Sequence, residues 1–425
     1  MPEVTDDTPV HLTEVDVDLD VQEILLAASQ HDQSKLRRLL RTQSMLPDAA
    51  NVKDTETGFS PLHAAIAACE PDTETTGANG ATTSDSNPKG LDANTVKSAV
   101  ETVQFLLQEG AIWNDLDANN ETPGCIARRI GALELYELIV DAGVRAELLL
   151  NRLDAYEELA DDDDEEEEEE EAEAEASAEA ETAPELVDAS AEPTTETTTT
   201  TTPVNPEVSN SQYLESRLNI QNDRILDSDQ NGVMMRWESD IMRKSATALL
   251  PTPGLKVLNI GHGMGIVDGF FQEQGPAVHH IVEAHEEVVA EMKRRGWDTK
   301  PGVVIHQGRW QDILPGLVAA GETFDAIYYD TFAESYGDFR EFFSEQVIGL
   351  LEQEGRWGFF NGMGADRQIS YDVYQKVAEM DLFEAGFDVQ WEEISVPKLD
   401  GEWEGVRRAY WVVDDYRLPL CKFMD

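Results

Sequence analysis

Three alternate glycines, Gly261, Gly263 and Gly265, follow directly on the apolar run Leu255–Ile260 and lead into Ile266–Gln274. A buried strand, a glycine turn and a helix in that order let backbone approach a ligand closely. A second apolar run, from His280, ends in Glu283, 22 residues after Gly261. An acid at that strand end is placed to accept hydrogen bonds from ribose hydroxyls. Such a unit serves a dinucleotide or S-adenosylmethionine. Dinucleotide turns read G-x-G-x-x-G, so the alternate spacing here favours S-adenosylmethionine. Asp330 closes a later run, Phe324–Tyr329, at the strand end where open α/β sheets hold their ligands.

These residues need a sheet to position them. Runs at Leu255–Ile260, His280–Glu283, Val303–His306, Phe324–Tyr329 and Arg356–Asn361 read as strands, with helical segments between. Strand–helix alternation predicts a parallel sheet covered on both faces. This domain spans 209–425.

Upstream, residues 1–157 read as helical. Val21–Ala27 and Ser34–Leu40 are two short helices, the second with Leu36, Leu39 and Leu40 on one face. Gly58-Phe59-Ser60-Pro61-Leu62-His63-Ala64-Ala65 resembles the ankyrin turn and helix start, Thr-Pro-Leu-His-x-Ala. Ser60 would cap the helix, Pro61 suits a first helical position, and His63 would bridge the turns of adjacent repeats. A second unit has Val103–Gly110 as a helix, then Thr122-Pro123-Gly124-Cys125 with Gly-Cys for Leu-His, then a helix at Leu133–Ala142. The insertion Asp72–Asn94 reads as a flexible loop. The module is a packing scaffold or a protein-binding surface.

The chain of 425 residues carries 86 acidic and 31 basic side chains, a formal charge of −55. Residues 157–207 hold 22 of the acids and no Lys or Arg. The segment 158–208, with Asp161–Glu171 and the tract Thr197–Thr202, therefore reads as a disordered linker, either a plain spacer or a tether for a basic protein. The acidity excludes phosphate-directed nucleic-acid binding and anionic membranes, and favours a basic partner. Cys69, Cys125 and Cys421 form neither a metal spacing nor a disulfide framework, and His279, His280 and His285 lack metal-site companions. With no apolar leader and no apolar run of membrane length, a soluble intracellular protein is expected.

Four further stretches carry a family resemblance: Met235-Arg236-Trp237-Glu238-Ser239-Asp240-Ile241-Met242, Leu258–Ile266, Arg309-Trp310-Gln311-Asp312, and Tyr328-Tyr329-Asp330-Thr331-Phe332. They resemble guanidinoacetate methyltransferase over about 213–425. More closely, they resemble the type IV protein arginine methyltransferase family, which modifies the internal δ nitrogen of arginine and carries amino-terminal ankyrin-like repeats. The resemblance implies a Rossmann-like class I methyltransferase domain, with a mostly parallel seven-stranded sheet, behind an all-α ankyrin-like module.

It also implies a cofactor pocket for S-adenosylmethionine. Gly261, His262, Gly263, Met264, Gly265 and Ile266 would form the loop under the methionine part. Glu283, Ala284 and His285 would hold the ribose, and Trp310 and Gln311 would face the adenine. Tyr213 and Met242 would close over the cofactor, and Asp330 would lie where cofactor and substrate meet. Asn259 stands where many methyltransferases have an acid. Glu238 and Asp330 match the guanidine-binding acids, and a planar cation pairs well with two carboxylates. The expected activity is δ-N-methylation of arginine in a protein, with a large-subunit ribosomal protein as substrate and residence in cytoplasm and nucleus. The alternatives are methylation of a small guanidino compound such as guanidinoacetate, or a non-catalytic adaptor for basic proteins. Glu238 could also merely pair with Arg236 or Arg243, Asp330 cap a helix, and Trp310 fill core.

Overall fold

The computed structural model describes residues 14–43, 46, 48–71, 92–152 and 209–424. The acidic segment 158–208 and nearly all of the 72–94 insertion lie outside the described residues.

The amino-terminal module contains α1 (Glu14–Ser29), α2 (Gln33–Arg38), α3 (Pro61–Ala67), α4 (Ala93–Gln108), α5 (Pro123–Arg129) and α6 over residues 133–152. Side-chain caps set the starts. Asp32 caps α2, and Ser60 and His63 form a reciprocal capping box on α3. Thr122 caps α5, and Pro123, like Pro61, takes a first-turn position where no N–H is missed. α4 starts at Ala93, well before the expected Val103, because Asp92 accepts from the Thr95 amide at 2.8 Å. His63 Nε2 lies 3.2 Å from the Glu121 carbonyl, so the buried imidazole links the turns ahead of α3 and α5.

The second half contains α7 (Asn210–Glu215), β1 (Asn219–Ile220), β2 (Arg224–Leu226), β3 (Gly232–Met235), α8 (Ser239–Leu249), β4 (Lys256–Ile260), α9 (Ile266–Gln274), β5 (Val278–Glu283) and α10 (Glu286–Arg294). It continues with β6 (Val303–Gln307), α11 (Trp310–Ala319), β7 (Phe324–Tyr329), α12 (Tyr336–Glu341), α13 (Ile348–Leu350), β8 (Leu351–Phe359), α14 (Gln368–Glu384), β9 (Phe387–Ser395) and β10 (Asp415–Phe423). Strands β1–β3 form a small sheet that the sequence reading missed. The large sheet has seven strands in the order β6-β5-β4-β7-β8-β10-β9. The first five are parallel, and β10 runs antiparallel to both neighbours. This is the class I methyltransferase arrangement. The chain winds from β4 outward to β6, then returns to β7 on the other side of β4. That reversal opens a crevice at the strand ends between β4 and β7, the natural ligand position of such sheets.

The helical module lies directly against α14. Gly124 and Gly143 make the approach possible: a Cβ there would stand 2.6 Å from Ile369 Cγ1 or 2.8 Å from Val373 Cγ2. Tyr136 donates to Asp372 at 2.5 Å and Tyr374 to Glu147 at 3.0 Å across the same contact. One apolar cluster runs from Ile24 on α1 to Phe387 on β9, so the two halves share a core. Among the described residues no helix is long and apolar enough to cross a membrane.

Candidate active site

The glycine turn fills the mouth of the β4–β7 crevice. Gly261 has φ +90°, and a Cβ on it would stand 1.9 Å from the Asp330 carbonyl oxygen. No other residue fits there. The Gly261 amide bonds the Val282 carbonyl and the Asp330 amide bonds that of Ile260, both at 2.9 Å, which ties the ends of β4, β5 and β7 together. Glu283 organises the turn. Its Oε2 accepts from the His262 and Gly263 amides at 2.8 and 3.3 Å, and its Oε1 from the His285 amide at 2.7 Å.

A cavity partly open to solvent lies in front of this turn, with about 580 Å³ of empty space when the open solvent at its mouth is counted. Its wall includes Gly261 and Gly263, then Glu283 and Ala284, then Trp310, with Tyr213 from α7 and Asp330 from the end of β7. Asn210, Leu214, Val233, Met234, Gly308, Arg309, Thr331, Phe332 and Glu334 complete it, together with Ile260 and Val282. Trp310 is both wall and core: it packs on Phe342 and Tyr329, while its indole N–H donates to Glu334 at 3.0 Å.

Seven residues expected around the cofactor do not line this cavity, and neither does Glu238, which lies buried behind it. The His262 ring turns beneath the loop, where Nδ1 lies 2.6 Å from Asp268 and the ring packs edge-on against Trp297. Met242 is fully buried in the core under α8. Met264 gives its amide to Met234 Sδ, and Ile266 starts α9 packed on the same core. Gly265 forms the left-handed entry to α9. His285 caps α10, with Nε2 3.1 Å from the Ser216 carbonyl and its ring 5.0 Å from that of Tyr213. Gln311 also lies off the cavity, with both amide atoms buried and unpartnered.

The site rests on a charged cluster the sequence reading missed. Asp268, fully buried, accepts from His279 Nε2 at 2.8 Å and Asn259 Nδ2 at 2.9 Å and adjoins His262. Burial pushes its carboxyl up, but the two imidazoles outweigh this and hold it down at about 2. Asn259 also donates to the Gly261 carbonyl at 2.8 Å. An acid at 259 would face Asp268 and lose both donations. The acid missing at 259 thus has a counterpart at the start of α9.

Glu238 is 4% exposed, between β3 and α8, and accepts a hydrogen bond from the Tyr410 hydroxyl. It does not pair with Arg243, which meets Glu273 instead, nor with Arg236, whose guanidinium donates to the Asn222 carbonyl. Asp330 caps no helix: Ser335 caps α12. Burial, then the charge of Asp330, raises the Glu238 carboxyl to about 8. Burial, then the charges of Asp268 and Glu283, raises Asp330 to about 7. Asp330 Oδ2 is buried with no hydrogen-bond partner. The two carboxyls thus sit close enough to interact, without a cation among the described residues to neutralise them. Groups in that state call for a positive, hydrogen-bond-donating ligand. Tyr410 carried no sequence signal, because 172 residues separate it from Glu238.

The cavity fits S-adenosylmethionine. That molecule is cationic and carries ribose hydroxyls. The wall offers the carboxyl groups of Glu283, Asp330 and Glu334, the rings of Tyr213 and Trp310, and a main chain at Gly261 with no side chain in the way.

A family model described as guanidinoacetate N-methyltransferase matches residues 210–403. The protein named protein arginine N-methyltransferase 2 in Aspergillus fumigatus is 72% identical over 416 residues, covering 96% of this chain and 97% of its own. Its namesake in Emericella nidulans is 68% identical over 428 residues, with 97% and 99% covered. Among solved structures, an S-adenosylmethionine-dependent methyltransferase from Mesorhizobium loti is a distant likeness, at 15% identity and a TM-score of 0.31, covering 44% of this chain and 98% of its own.

Proposed function

The chain belongs to the protein arginine N-methyltransferase 2 family, and from that premise we propose that it methylates arginine in a basic protein, at the internal δ nitrogen, with S-adenosylmethionine as methyl donor. The observation that carries this reading is the pair Glu238 and Asp330, two buried carboxyls raised toward neutrality and lacking a cation. A guanidinium supplies both the charge and the planar N–H groups they lack.

When bound, S-adenosylmethionine supplies an electrophilic methyl group. The chain's own residues do the rest. Glu238 and Asp330 hold the guanidinium by its N–H groups and fix its plane, so that proximity and orientation lower the barrier. If the two carboxylates take the terminal nitrogens between them, the internal nitrogen is the one left to face the donor. The guanidinium charge draws both carboxyls back toward the ionised form. The guanidinium must release one proton overall, and a carboxylate that holds one of its N–H groups takes it. Trp310, Tyr213 and Phe332 exclude water from one side of the cavity.

The strongly acidic chain suits a cationic protein, and a large-subunit ribosomal protein, met in cytoplasm or nucleus, is the partner we propose. The His63 bridge and the paired Ser60-Pro61 and Thr122-Pro123 starts support an ankyrin-like reading of the module, with a protein-docking role. One observation favours a second reading, a small guanidino substrate: the guanidinoacetate family model spans 210–403. The shared core between module and catalytic half speaks against it, since a small-molecule enzyme has no use for a docking surface.

The test is incubation with labelled S-adenosylmethionine and either basic ribosomal proteins or guanidinoacetate, followed by acid hydrolysis. Label in δ-methylarginine is expected. Label in creatine alone would establish the second reading, and label in terminally methylated arginine would overturn the choice of nitrogen.

A further inference from the structure

The segment 396–414 joins β9 to β10 and lies over Glu238. It is pinned to the β2–β3 hairpin at two points: the Arg224 guanidinium donates to the Glu404 carbonyl at 2.9 Å, and the Arg407 amide to that of Gln230 at 2.8 Å. Tyr410 is thereby held in a tight seat. Its ring centroid lies 4.9 Å from that of Trp403 and 6.1 Å from that of Trp237. Gly232 leaves room for it, since a Cβ there would stand 2.9 Å from Tyr410 Cε1. The hydroxyl at the end of this ring donates to Glu238.

The groups facing Glu238 are few. Asp330 and Tyr328 come from β7, Tyr416 from β10, Tyr410 from the covering segment, and the main chain of Met235 from β3. Asp330 opposes ionisation of Glu238, whereas the Tyr410 hydroxyl and the Met235 main chain favour it. Tyr410 is thus the side chain positioned both to aim this carboxyl and to favour its ionised form.

We propose that Tyr410 is a positioning residue for substrate: its hydroxyl aims the Glu238 carboxyl and favours the ionised form that takes a guanidinium. The inference rests on the arginine reading of the site, but it concerns a hydrogen bond present in the free protein. Tyr410 takes no part in the transfer and acts only through Glu238. Losing its donation makes Glu238 harder to ionise, so the protein must reach a higher pH before the carboxylate pair can grip its cation.

The test is Tyr410→Phe, which keeps the ring and removes the hydroxyl. In the free protein, the carboxyl carbon of Glu238 is titrated by ¹³C NMR and assigned with Glu238→Gln. The midpoint should rise by about one pH unit, the scale of one hydrogen bond to a charged group. With an arginine-bearing protein substrate, kcat/KM should fall about tenfold near neutral pH and recover toward the parent value above pH 9. If Tyr410→Phe does not fold, Gly232→Ala, which crowds the same ring, should shift the midpoint in the same direction. An unmoved or lowered midpoint, or a loss of equal size at every pH, overturns the proposal. The carboxyl titration needs no turnover. If arginine is not methylated at all, the functional reading fails while the role of Tyr410 is still decided.

Discussion

Replacing Asp330 with Asn should inactivate the protein and, at pH 8, make it more stable. Burial and the charges of Asp268 and Glu283 raise this carboxyl from 3.8 to about 7. Each unit corresponds to about 1.4 kcal/mol, so the ionised group costs at most ~4 kcal/mol of folding free energy at pH 8. Water entering the cavity reduces that figure, and ~2 kcal/mol is the working expectation. The sign follows from linkage. Below pH 3.8 the carboxyl is protonated whether the chain is folded or not, and Asn confers no electrostatic advantage. Between 3.8 and about 7 the unfolded chain ionises first, so the parent loses stability as pH rises. Above about 7 the difference is constant. Thermal unfolding at pH 5 and pH 8 reads this directly: the melting temperature of Asp330→Asn should exceed the parent's by about 5 °C at pH 8, and by less at pH 5. Methyl transfer should fall by about 10²-fold or more, the scale of losing a positioned proton acceptor. A less stable variant at pH 8, or an advantage that does not grow with pH, would refute the reasoning.

Gly261→Ala should abolish S-adenosylmethionine binding in calorimetry, because its Cβ would collide with the Asp330 carbonyl at 1.9 Å. Affinity within twofold of the parent would contradict this. Asp268→Asn leaves His262, His279 and Asn259 without their shared acceptor, and should lower urea-unfolding stability by about 3 kcal/mol at pH 7. The parent should lose this contribution as pH falls from 3.8 toward about 2, where Asp268 protonates. Gly143→Ala places a methyl 2.8 Å from Val373 and should destabilise the module–α14 contact by about 1–3 kcal/mol, visible as a lower melting temperature and faster proteolysis of α6. An unchanged melt would show that this contact is looser than the structure has it.

The sequence was most legible where local chemistry and tertiary structure agree. The run before Gly261 had to be a buried strand, and Glu283 had to end its neighbour, because one glycine turn needs both. The cap at Ser60 was visible for the same reason, since it acts on the amide three residues on, and the Thr122-Pro123 pair marked the second start. Asp92 gave the same kind of signal but sat inside a polar stretch that hid it, so the start of α4 was placed late. His262, Met264 and His285 misled because sequence position alone does not say which way a side chain points. The His262 ring is drawn under the loop by Asp268, an acid whose partners lie at 259, 262 and 279. Tyr410 and β1–β3 were illegible for a different reason. Their partners are distant in sequence, and short half-exposed strands carry little periodic signal.

The most direct test of the central claim is the affinity of the protein, saturated with S-adenosylhomocysteine, for an arginine peptide and for the same peptide with neutral citrulline. If Glu238 and Asp330 are a guanidinium clamp, the parent should prefer arginine by about 100-fold, the order of two charge-assisted contacts. In the Glu238→Gln, Asp330→Asn double variant the preference should vanish. A preference that survives in the double variant would place the cation elsewhere and contradict the account.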